Sequence, residues 1–322
     1  VKHNLFLEEE MSVKKLNTNR VEKRPFEESK PCGLPLKNTL KLAYPFSIIV
    51  ALIMAAASVA GLLYRSVLYP TGELLLSFVP CDICNLVLGL PVLIALLWLF
   101  KRKRSAGLLL WPGVLFYVVY MYLPYTVVFW GRALSLVYLL LVVLSACAIV
   151  GIIRGVDGER VRLVLEKKAL IRVSSGILVG LALLIIGRQA AQIAAVLSGH
   201  AQTGIVEIST WISDFSVAVP ALLAVGIQLW RRKPFGFAAG AGLLLGYGML
   251  SLGLIPFFLV QSHLDATPLD MGGMLVVVFM ALLCFVPLAF FLRAASQLHN
   301  PPQDVKEIRL PEQLSKSGIE EE

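Results

Sequence analysis

Charged residues are scarce in this chain. They make up 16% of its 322 residues, against about a quarter in an ordinary soluble domain, and so little charge cannot clothe a globule that meets water on every side. Histidine is scarcer still, with four in all. His200, His263 and Asp270 stand apart in loops, without the close ligand spacing of a metal site, so no metal is expected. Nor is there a phosphate-cradling glycine loop, a His-Glu-x-x-His pair or a nucleophile elbow. The polar stretches between apolar runs are too short to hold a nucleotide-binding domain.

What the chain has in abundance is hydrocarbon. Hydrophobic residues account for 57% of it, in runs of the roughly 17–25 residues that cross a bilayer. The expected fold is all-α, a polytopic transmembrane bundle of about eight spans, near residues 44–67, 82–100, 107–129, 133–153, 173–197, 213–230, 235–261 and 271–292. The net charge of +8 does not point to nucleic acid, because 26 of the 29 lysines and arginines, all but Arg65, Arg132 and Arg188, fall on one side of such a bundle. Cations collect on the cytoplasmic face. Both termini are therefore expected inside, in a prokaryotic cytoplasmic membrane, with the lipid bilayer as the first partner. Residues 1–42 read as a polar tail without the order of a signal peptide, Met11 competing with Val1 as the start; residues 294–322 read as a second tail.

Between the tails the chain divides into a four-helix unit at 43–153, a cytoplasmic linker at 154–172 and a second four-helix unit at 173–293. The linker is read as solvated in preference to a short helix on the inner leaflet. The division rests on one constant, ungapped offset that brings Pro91 onto Pro220, Ala95 onto Ala224, Arg102 onto Arg231, Gly107 onto Gly236 and Gly113 onto Gly242, with Asn85 on Asp214. An even number of helices per unit inserts both the same way up, a parallel 4+4 repeat.

Polar groups inside a membrane are costly and are candidates for function by default. Asp82 and Asn85 share one face of the second helix, and Asp214 occupies the corresponding part of the sixth. For the two aspartates the competing reading is capping of free N–H groups where each helix begins. Pro91 and Pro220 lie inside helices, where the ring removes a hydrogen bond and displaces a carbonyl; two matched kinks are expected. Arg188, within the fifth helix beside Gln189, is expected either to snorkel outward or to pair with Asp214, and Arg65 to pair with Asp82 or Glu73. Of the tyrosines in the third helix, Tyr122 and Tyr125 suit a membrane interface, while Tyr117 and Tyr120 lie deeper and are candidates to line a ligand cavity.

Cys81 and Cys84 stand in Pro-Cys-Asp-Ile-Cys at the expected start of the second helix, where a thiolate would be stabilised. These five residues resemble the Pro-Cys-x-x-Cys of the DsbB-type membrane oxidases of disulfide formation. The resemblance implies a redox pair at Cys81 and Cys84, with quinone as cofactor in that case alone. The second cysteine pair and the following arginine of that pattern are missing. A longer segment, Asp82-x-x-Asn85-Leu86-Val87-x-Gly89-Leu90-Pro91 with the basic stop and Tyr-rich helix behind it, resembles a group of uncharacterised prokaryotic multi-pass membrane proteins, in which the acidic residue and Leu-Pro recur. That resemblance implies no activity.

The function expected from these features is non-enzymatic: binding or moving a small solute or lipid through an outward-facing polar vestibule, without a cofactor. The alternatives are a membrane thiol-disulfide oxidoreductase, and an accessory subunit whose glycine-rich seventh helix packs on another membrane protein.

Overall fold

The computed structural model describes residue 40 and residues 42–165, 170–200, 202–265 and 268–295. The expected tails and part of the expected linker lie outside the described residues. Eight helices are long and apolar enough to cross a membrane: α1 Ala43–Leu63, α2 Gly72–Lys101, α3 Ala106–Val128, α4 Ala133–Gly155, α5 Ile171–Leu197, α6 Ile205–Trp230, α7 Pro234–Leu264 and α8 Met271–Arg293. No strand occurs among the described residues. Outward faces are apolar. Along α8, Leu275, Phe279, Leu282 and Val286 are 52–72% exposed, a stripe that lipid can cover and water cannot do so cheaply. The molecule is an all-α integral membrane protein that crosses the bilayer many times.

α3 and α7 form the centre. α3 is the most enclosed helix, with 78% of its apolar stretch buried against 28–44% in the other seven. It reaches this closeness through glycine. A Cβ on Gly113 would fall on the Gly242 carbonyl, and one on Gly242 would come within 3.1 Å of the Gly113 nitrogen, so the two backbones touch. Gly246 also faces Gly113 and Phe116. Glycines of α7 thus make close contacts inside this chain.

Two helices begin earlier than expected. α2 starts at Gly72, where the Thr71 hydroxyl accepts from the Leu74 N–H at 3.3 Å, and α6 starts at Ile205, where the Gly204 N–H donates to Glu207 at 2.9 Å. Residues taken as outer loop are therefore helix. Each of these helices has two parts that pack differently. The first parts, Gly72–Cys84 and Ile205–Ser213, lie on α7 and α3 respectively, whereas the second parts, Leu90–Lys101 and Val219–Trp230, lie on α3 and α7.

Between the parts sits a π-helical turn, Asn85–Gly89 in α2 and Asp214–Ala218 in α6. There the Leu90 N–H donates to the Asn85 carbonyl and the Val219 N–H to the Asp214 carbonyl. Pro91 and Pro220 follow at once. Each lacks an N–H and would push against the carbonyl four residues back, and a widened turn relieves that clash. A π turn thus stands ahead of each of the two prolines.

The basic stops also match in the register that aligns the prolines. Lys103 and Arg232 both take positive φ, 55° and 53°, while Arg104 and Lys233 donate their N–H groups to the carbonyls of Leu99 and Gln228, a helix ending more usual with glycine. One segment of the expected linker, Gly158–Leu165, is helical and packs on α7 and α8; a buried Val161 anchors it, which a solvated linker would not offer.

Candidate functional site

The two buried carboxylates, Asp82 and Asp214, lie toward the ends of their helices opposite the basic stops, in two clusters that share α3. In the first, Asp82 is 1% exposed. It lies ten residues beyond Gly72, about 15 Å along the helix, so it caps nothing. The Tyr69 hydroxyl donates to its Oδ2 at 2.6 Å and the Tyr125 hydroxyl to its Oδ1 at 3.1 Å. One turn deeper, Asn85 accepts from the Tyr117 hydroxyl at 3.1 Å and donates through Nδ2 to the Tyr122 oxygen at 3.2 Å; that oxygen also shares a hydrogen bond with Ser58 at 3.0 Å.

Aromatic rings wall this cluster in. Phe78 packs against Tyr125 at 4.3 Å between ring centroids, and Tyr138 against Tyr125 at 5.0 Å. On the α1 side the wall is bare backbone: a Cβ at Gly61 would collide with the Asp82 carboxylate and lie 2.7 Å from the Tyr69 hydroxyl. Tyr69, in the short connection before α2, has its phenol pushed well above the ordinary range, first by burial and then by the neighbouring Asp82 carboxylate. It stays protonated and remains a donor.

The second cluster is smaller. Asp214, at the head of its π turn and 3% exposed, accepts from the Tyr120 hydroxyl at 2.7 Å and from the Gln189 side-chain amide. The other amide atom of Gln189, Oε1, is buried without a hydrogen-bond partner among the described residues. At 100° per residue Tyr120 projects about 160° away from Tyr122, which lets one helix serve both clusters.

Of the residues singled out by sequence, Asp82, Asn85 and Tyr117 therefore meet in one cluster, and Asp214 and Tyr120 in the other. Arg188 is exposed and makes no ion pair with Asp214 among the described residues, because the next residue, Gln189, is the one turned inward; its charge still lies near enough to act on Asp214 and Tyr120. Arg65 likewise is exposed and, among the described residues, forms no ion pair with Asp82 or Glu73. Tyr122 and Tyr125 are 0% and 1% exposed, so they belong to the interior and not to an interface. Tyr69, Ser58 and Gln189 complete the clusters without a pattern of their own; Gln189 had only its place beside Arg188.

The cysteines are placed differently from expectation. Cys81 is the tenth residue of α2, far from the free N–H groups that were to stabilise its thiolate, and is partly buried. The buried Cys84 donates its thiol to the Gly253 carbonyl of α7 at 3.1 Å. Comparison with family models, with curated proteins and with solved structures returns no match. Fold and site define a polytopic α-helical membrane protein with two buried carboxylates in its core.

Proposed function

We propose that the protein binds, and moves across its membrane, a small solute or lipid that reaches the Asp82 and Asn85 cluster and the Asp214 cluster from the end opposite the basic stops. One observation carries the reading: two carboxylates are kept inside a membrane bundle, each accepting from a tyrosine of α3, with Asp82 one turn before its helix's π turn and Asp214 at the head of the other. Intramembrane carboxylates are costly to keep, and π turns inside α-helices recur at functional sites. With 0–3% exposure at Asp82, Asn85, Tyr117 and Asp214, the sites are closed in this conformation, and the vestibule forms when the first parts of α2 and α6 move about their π turns.

The same reading takes the chain as two copies of a four-helix unit inserted the same way up. Support comes from elements that recur at the one constant spacing: the π turns, the prolines after them, the positive-φ basic residues, and the Gly113 and Gly242 that meet at the centre. It places the basic ends and both termini in the cytoplasm, by the distribution of lysine and arginine. It also keeps the likeness to the group sharing the Asp-x-x-Asn-Leu-Val-x-Gly-Leu-Pro segment, in which the acidic residue recurs.

The test is a ligand screen by thermal stabilisation of the detergent-solubilised protein. A solute at 100 times its Kd stabilises by about 2.7 kcal/mol, well within reach of a melting curve. Ligands found this way are expected to lose their effect in Asp82→Asn and Asp214→Asn, both still membrane-inserted and monodisperse. Equal stabilisation of wild type and both variants would remove the proposal.

A further inference from the structure

A cavity lies at the other end of the molecule from the polar clusters. It has a volume of about 700 Å³, within the range of small-molecule sites. α4 and α6 form its sides, through Ile153, Arg154, Ala221 and Ala224, and α7 its floor, through Ala238 and Ala239. Val150 and Phe235, also on its lining, are 47% and 40% exposed, so it opens on the lipid-facing surface. Small residues create the space. The positions that align with its four alanines in the first half of the chain carry Val92, Ala95, Leu109 and Leu110, and three of those four are bulky.

The lining is apolar with one exception. Arg154, in the last turn of α4, is the one charged residue on it among the described residues. Arg154 makes no ion pair or hydrogen bond among the described residues, and no carboxylate faces it across the cavity; Asp157, between the lining residues Val156 and Gly158, does not itself line it. The first residues of α7, Pro234 and Phe235, border the same mouth and add the positive end of a helix dipole. Arg231–Lys233 immediately precede them.

We infer that this cavity is a binding site for one anionic phospholipid of the surrounding bilayer, with an acyl chain lying between α4 and α6 over the alanines and the headgroup phosphate held by Arg154. A hydrocarbon slot ending in an unpaired cation complements an amphiphile with a negative head, and basic pockets between membrane helices bind such headgroups. A zwitterionic lipid offers Arg154 the same phosphate, but its ammonium group meets the cations Arg154 and Arg231–Lys233 at this mouth, so its net attraction is weaker.

The experiment uses the full chain in nanodiscs of equimolar phosphatidylglycerol and phosphatidylcholine, with retained lipids counted by native mass spectrometry after release. Wild type should keep one phosphatidylglycerol. Arg154→Gln should lower its preference over phosphatidylcholine about fivefold, the effect of one cation near a membrane surface, while Arg154→Lys retains most of it. Ala221→Leu with Ala224→Leu should displace the retained lipid of either class. Melting temperature and monodispersity confirm that each variant is folded, and the Lys variant keeps the test valid should the Gln variant fail. An unchanged preference in Arg154→Gln, or unchanged retention in the filled variant, would overturn the site. So would a dimer carrying no lipid, which would assign the slot to a second copy of the chain.

Discussion

Tyr125 joins the Asp82 carboxylate to the aromatic wall around it. Its hydroxyl meets the Asp82 carboxylate and lies 3.2 Å from the Phe78 carbonyl, and its ring packs on Phe78, Tyr122, Phe129 and Tyr138. Replacing it with Phe keeps the packing and leaves Asp82 with one hydrogen bond fewer. A hydrogen bond to a charged group contributes about 1.5–3 kcal/mol, so Tyr125→Phe is expected to lower stability by about that much in reversible unfolding from mixed micelles. Tyr120→Phe should lose a similar amount from the Asp214 side. Both aspartates were visible in the sequence as polar residues in apolar surroundings. Their partners were not, because a tyrosine in a membrane segment looks the same whether it meets headgroups or a buried carboxylate. Arg188 shows the limit most clearly: charge drew attention to it, yet a rotation of one residue brought Gln189 to Asp214.

At the level of the helix, the π turn is a surplus of one residue over a regular α turn, and Val87, 71% exposed, sits within it. Deleting Val87 should let Asn85–Gly89 close to a regular turn while Asp82 and the basic stop keep their faces. Deleting Leu76 in the same helix would rotate everything before it by about 100° relative to everything after it. The first variant is expected to express and melt close to wild type, the second to be degraded or aggregate, as read by fluorescence-detected gel filtration. Eight helices were legible because long apolar runs have few other uses. The early starts of α2 and α6 are hidden in the sequence because Pro80 imitates the first residue of a helix, and because Asp214 imitates a cap. Thr71 with Glu73, and Gly204 with Glu207, were the signals available for the true beginnings.

The whole molecule depends on exchange between its parts. The first part of α2 lies on α7, and that of α6 lies on α3, so residues 1–165 expressed alone would leave a face of α2 and a face of α3 without cover. That fragment should accumulate poorly, and co-expression with residues 166–322 should restore a stable complex that purifies as one species on gel filtration. No single segment discloses such exchange; it is a property of the assembled bundle.

Where Gly113 meets Gly242, nothing wider than hydrogen separates the two main chains. A joint without side chains has no interlocking ridges to resist tilt, yet it lies too close for α3 and α7 to slide past each other along their lengths. The contact therefore sets the distance between the axes of α3 and α7, and a side chain at either glycine would have to push the two helices apart.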